Sequence, residues 1–185
     1  MEMKKREYYL KAAATFLIST GLVIAVLTAL NWIPSLIAPE EFRRYSSLEA
    51  AKKSLDLHAV YLPVFLPEHL NLESLPSEVF AQTKPFQLVI MHFRFRNTRE
   101  IGLAIHQVAL GAQHHIDSKI RLNEVSQQNR VSLKGRDALL ISALCDNDSP
   151  CSQISWTEAS NTLTVTGKIS ARDLIRVAGS MIPGP

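Results

Sequence analysis

Apolar positions obey three different rules along this chain. Residues 12–33 form one block of 22 positions without a charge. At helical rise that block is roughly 33 Å long, the thickness of bilayer hydrocarbon. It predicts a transmembrane helix, with Trp32 at one interfacial belt, Tyr8 and Tyr9 at the other, and Pro34 and Pro39 ending it. A second rule, helical spacing, begins at Leu48: Leu48, Ala51 and Leu55 share a side while Glu49, Lys52 and Lys53 face away, and Ser46 or Ser47 stands ready as the cap, Ser46-x-x-Glu49 resembling a capping box. The third rule is alternation, and it governs most positions from Glu78 onward.

Between the helical stretch and the alternating ones lies 59–70, with Pro63 and Pro67 four residues apart. Two prolines at that spacing forbid a helix and make a central strand improbable, so an apolar extended segment across a core edge is expected. Glu78–Gln82 reads as a short strand. In 87–96, Val89, Met91, Phe93 and Phe95 alternate with Ile90, His92, Arg94 and Arg96. Asn97-Thr98-Arg99 turns the chain, and 100–108 returns with Ile101, Leu103 and Ile105 on one side. Residues 111–128 are polar without a period. Two more hairpins come after them, 130–134 with 138–144 around Gly135-Arg136-Asp137, and 152–158 with 162–168 around Ala159-Ser160-Asn161. Ser170 caps a last helix whose inner face carries Leu174, Val177, Ala178 and Met181, and Pro183 stops it. The fold class is therefore α+β: an N-terminal transmembrane helix, a short helix, a meandering antiparallel β-sheet, and a capped C-terminal helix packed on one face. The boundaries are 1–11 as cytoplasmic tail, 12–33 as transmembrane helix, 34–58 as juxtamembrane linker and short helix, and 59–185 as an extracytoplasmic domain.

Charge adds direction rather than chemistry. Lys4, Lys5, Arg6 and Lys11 precede the apolar block, which places the N-terminus in the cytoplasm and the domain outside an inner, cytoplasmic membrane crossed once. A cleaved signal peptide fits less well, because the apolar run is too long and Leu27-Thr28-Ala29 is a poor cleavage site. The net charge of +3 and the scattered basic residues exclude a nucleic-acid binder. Outside the cytoplasm, Cys145 and Cys151 read as a small disulfide loop; in a reducing compartment they would be two idle thiols.

The closing stretch resembles a known family. Ile154-Ser155-Trp156-Thr157-Glu158, Leu163-Thr164-Val165-Thr166-Gly167 and the capped helix from Ser170 to Met181 are similar to the end of DUF4367 domains. Pro63-Val64-Phe65-Leu66-Pro67-Glu68-His69-Leu70 resembles that family's opening segment, and Val131-Ser132-Leu133-Lys134-Gly135-Arg136-Asp137-Ala138 its middle hairpin. The likeness covers 61–181. It implies an extracytoplasmic domain, commonly bacterial, without an agreed activity, and it transfers no catalytic residue. Some members carry a cytoplasmic anti-sigma zinc domain; the residues before Ala12 here are too few for one and hold neither Cys nor His.

No catalytic motif, cofactor loop or metal-ligand spacing stands out. His114 and His115 would point to opposite faces of a strand, and Asp146 and Asp148 beside the cysteines disfavour a reactive thiolate. Only His92 and His106, on strands that can pair, come into question as a histidine pair. The expectation is a non-enzymatic, membrane-anchored interaction or regulatory module whose partner is another envelope or membrane protein. Arg94, Arg96, Arg99, Arg130, Lys134 and Arg136 are the candidate partner or head-group contacts, along one rim of the sheet. The alternative is a tethered domain for a lipid or other apolar ligand, with Phe86, Phe93, Phe95, Trp156 and Met91 lining a pocket.

Overall fold

A computed structural model describes residues 17–28, 42–57, 59–112 and 119–184. The chain divides into two units, 1–39 and 40–185. Of the first unit only 17–28 are described; they form a helix (α1) with all side chains exposed. Of the expected membrane span 12–33, residues 12–16 and 29–33 lie outside the described residues, and among the described residues no helix is long and apolar enough to cross a membrane.

The second unit is α+β. Eight strands, β1 (Arg43–Tyr45), β3 (Glu78–Gln82), β4 (Leu88–Arg94), β5 (Ile101–Ala109), β6 (Glu124–Leu133), β7 (Arg136–Leu144), β8 (Pro150–Glu158) and β9 (Asn161–Gly167), make one antiparallel sheet in the order β1-β3-β4-β5-β9-β8-β7-β6. It is two four-stranded meanders joined where β5 pairs β9, from Leu103↔Gly167 to Ala109↔Asn161. A separate ribbon pairs β2 (Tyr61–Pro63) with β10 (Met181–Pro183). Pro63 is tolerated there because a two-stranded ribbon leaves one edge of each strand without a ladder.

One face of the sheet holds the main core. Alternation sends Val89, Met91 and Phe93 of β4, Leu103 and Ile105 of β5, and Leu163 and Val165 of β9 to that side. Two helices cover it: α2 (Leu48–Leu55) over β1 and β3, and α3 (Ala171–Gly179) over β6–β9. Leu48 and Ala51 of α2 and Leu174, Val177 and Ala178 of α3 join the core, as their spacing predicts. Residues 43–55, within the stretch expected as linker and short helix, form β1 and that helix and belong to the folded unit. Ser47, not Ser46, caps α2 by accepting from the Ala50 N–H at 3.1 Å. Ser170 caps α3, accepting from the Asp173 N–H at 3.1 Å and donating to its carboxylate at 2.8 Å. Met181, expected on the helix, begins β10 instead, because α3 ends at Gly179.

The opposite face is covered over part of its width. The chain from Ala112 reaches residues 119–122 there, and Ile120 and Leu122 pack on Ala104, Cys145 and Cys151. Leu88, Ile90 and Val108 form a third cluster with Phe80 and Phe86.

Candidate functional site

The densest polar arrangement of the second face is built on Glu78. It opens β3, its register partner is His92, and it is 4% exposed. A carboxylate so placed needs several donors, and four converge from three separate stretches of chain. Arg94 Nη2 and Arg44 Nη2 lie 3.0 and 3.2 Å from Oε1. Lys119 Nζ and His92 Nδ1 lie 2.9 and 3.2 Å from Oε2. Burial by itself would raise this carboxyl's pKa, but the hydrogen bonds from Lys119, His92 and Arg94, with the Lys119 charge, outweigh it and hold it at about 2. Burial also lowers the His92 pKa against the pull of Glu78, so the ring is neutral at pH 7 and its Nδ1–H donates to the carboxylate. His92 Nε2 is buried and has no hydrogen-bond partner among the described residues.

Aromatic contacts complete the cluster. Phe80 stacks on Phe42 at 5.4 Å, meets His92 edge-on at 5.7 Å, and lies beneath Lys119 Nζ at 5.8 Å. Glu78 therefore ties β1, β4 and the segment at Lys119 to β3. Both of its oxygens already accept two donors, and its low pKa makes it a weak base. The arrangement is built to hold strands together, and it is poorly suited to moving a proton.

The six basic residues expected along one rim do not share one. The strands β4 and β6 run in opposite directions in the antiparallel order, so the turns after them lie at opposite ends of the sheet. Arg94, Arg96 and Arg99 sit at one end. Arg94 is engaged with Glu78 and with the Arg99 carbonyl at 2.9 Å, and Arg96 Nε donates to the Leu72 carbonyl at 3.0 Å. Arg130, Lys134 and Arg136 sit at the other end, where Arg136 pairs with Glu158 at 2.5 Å. Lys134 and Gly135 form a tight turn, both at positive φ, 51° and 80°.

The expected disulfide is present: Cys145 and Cys151 are bonded, with Cα atoms 5.7 Å apart. His92 and His106 do lie on adjacent strands and on one face, offset by two register positions, since His92 opposes Ala104 and His106 opposes Ile90. His114 and His115 lie outside the described residues. Among the described residues no group of three or more His, Cys, Asp or Glu is placed to hold a metal. The five side chains expected to line an apolar pocket are divided between faces: Met91, Phe93 and Trp156 fill the main core with Phe95 at its margin, while Phe86 packs on the other side.

Sequence reasoning missed the free edge. Strand β6 begins at Glu124, well before the hairpin that 130–144 announced, and is exposed from Glu124 to Arg130. Its bulge between Val125 and Gln127 is pinned by the Ser126 hydroxyl donating to the Ser142 carbonyl at 2.9 Å.

No family model, no curated protein and no solved structure matches the chain.

Proposed function

We propose that this protein is a non-catalytic interaction module, anchored in the inner membrane by residues 12–33, with the domain 40–185 working outside the cytoplasm. The observation that carries the reading is β6: ten residues at the end of an eight-stranded sheet, with no strand on its outer side among the described residues. Such an edge is a template for a partner's strand. Its side chains are polar, Gln127, Gln128, Asn129 and Arg130 in succession, so it resists indiscriminate aggregation while keeping its backbone available. The opposite edge strand, β1, is only three residues long. The Cys145–Cys151 disulfide supports an oxidising compartment. The charge-free block 12–33 supports the anchor, and the likeness to DUF4367 domains supports an extracytoplasmic role without chemistry.

Site-directed photocrosslinking in intact membranes tests this. A crosslinking amino acid at Gln128 or Ser132 should yield a discrete adduct with a second membrane or envelope protein, and one at Lys53 should not. Equal yields at all three positions, or adducts with lipid alone, would refute the edge as the partner site.

A further inference from the structure

We infer that the groove beside the ribbon binds one phospholipid of the bilayer in which the chain is anchored, with an acyl chain along the groove and a zwitterionic head group at its polar end. The inference rests on the anchored reading above and goes beyond it, since it concerns a different surface from β6.

The groove runs between residues 62–67 and 72–76. It consists of two neighbouring cavities of about 250 and 460 Å³ that have Pro63 and Ser74 in both walls. Volumes of this order are typical of small-molecule sites. The smaller cavity is lined by Leu48, Leu62, Pro76 and Phe93 on its apolar side and by Ser46, Ser47 and Glu49 on its polar side. The larger continues with Val64, Leu66, Pro67 and Leu72. At the rim Val64 is 68% and Leu75 74% exposed. Two large apolar side chains on either side of an apolar trough mark a surface that gains by being covered.

The larger cavity also carries one cation and one anion, Arg96 and Glu68. Arg96 Nε is committed to the Leu72 carbonyl, which fixes the guanidinium while its terminal nitrogens remain available. Among the described residues no ion pair joins Glu68 to Arg96 or to any other cation. A groove that offers apolar walls together with one donor fork and one carboxylate in its larger cavity is complementary to an amphiphile carrying phosphate and ammonium together. The phosphate meets Arg96, the ammonium meets Glu68, and the hydrocarbon replaces water over Leu75 and Val64.

The test uses the full-length chain reconstituted into lipid nanodiscs of phosphatidylethanolamine bearing a photoactivatable group near the acyl terminus. After illumination, adducts are mapped by peptide mass spectrometry. Labelling should appear on peptides covering 62–67 and 72–76 as well as on 12–33. It should drop about tenfold at the groove in Leu75→Glu and in Val64→Asp, which place a charge where hydrocarbon must sit. Both positions are exposed, so the fold is retained, and unchanged far-UV dichroism checks that. Glu68→Lys should weaken labelling by the phosphatidylethanolamine probe and strengthen labelling by a phosphatidylglycerol probe, which lacks the ammonium. Labels confined to 12–33 would overturn the groove and leave the anchor standing. Labels nowhere on the chain would overturn the anchor itself. Groove labelling indifferent to Glu68→Lys would overturn the head-group assignment.

Discussion

Replacing Glu78 by Gln removes one charge and nearly no volume, and its cost can be worked from the geometry. The native carboxyl is held at about 2 instead of the ordinary 4.5. That difference corresponds to about 3 kcal/mol of folding free energy at neutral pH. The stabilisation is fully present above 4.5 and is lost as pH falls from there toward 2, because the unfolded chain takes up the proton first. In Glu78→Gln the positive groups Arg44, Arg94 and Lys119 face one another without their counter-charge, which is the costly way to break a buried pair. The variant should therefore be about 3 kcal/mol less stable at pH 7, with a melting temperature lower by about 10 °C for a domain of this size. On acidification the wild type should lose this advantage, so that the two melting curves approach each other by pH 2.5. A second, shallower loss belongs to both proteins: His92 is held neutral below its ordinary 6.5, so its contribution begins to fall under that pH. Guanidinium unfolding of the full-length protein, followed by circular dichroism at pH 7, 5 and 3, measures both steps. Equal stability at pH 7, or a gap between variant and wild type that does not close with acid, would refute the account of Glu78 as the ionised centre of the cluster.

Gly102→Ala should destabilise by about 1–3 kcal/mol in thermal melts, since an added Cβ would meet Phe95 Cζ at 2.6 Å and Leu72 Cδ2 at 2.7 Å. Cys145→Ser, or reduction of the wild type, should cost about 2 kcal/mol for so short a loop, and thiol-reactive labelling of untreated membranes should leave both cysteines unmodified. Ser170→Ala should cost about 1 kcal/mol through loss of the α3 cap, read as a lower denaturation midpoint with an unchanged slope.

Local pattern carried much of this fold into view. The β4–β5 and β8–β9 hairpins and both helices of the second unit arise from alternation, turn residues and caps that lie within a few positions of one another. The prolines of 59–70 correctly spoke against helix, and their segment supplies the edge ribbon. The failures share a cause: each depends on contacts distant in sequence. Strand β1 is three residues without a period, and it exists because β3 is there to pair with it. The start of β6 looks like loop because an edge strand with both faces wet has no apolar alternate to show. The Glu78 cluster draws on residues 44, 78, 92, 94 and 119, and only the oddity of an acid opening the apolar strand Glu78–Gln82 hinted at it. The basic residues were grouped by their likeness, but strand direction decides position, and β4 and β6 point opposite ways.

The seam between β5 and β9 bears on how the molecule could be taken apart. Each side of it is a self-consecutive meander, and the crossing from Ala109 to Glu124 is the one covalent link between the halves. A chain opened between Ala112 and Lys119 keeps every described hairpin intact. The two pieces, 40–112 and 119–185, are natural halves of a split reporter, whose reunion would depend on two strand-to-strand ladders, β5 with β9 and β2 with β10, on the Glu78–Lys119 ion pair and on the side chains of the shared core.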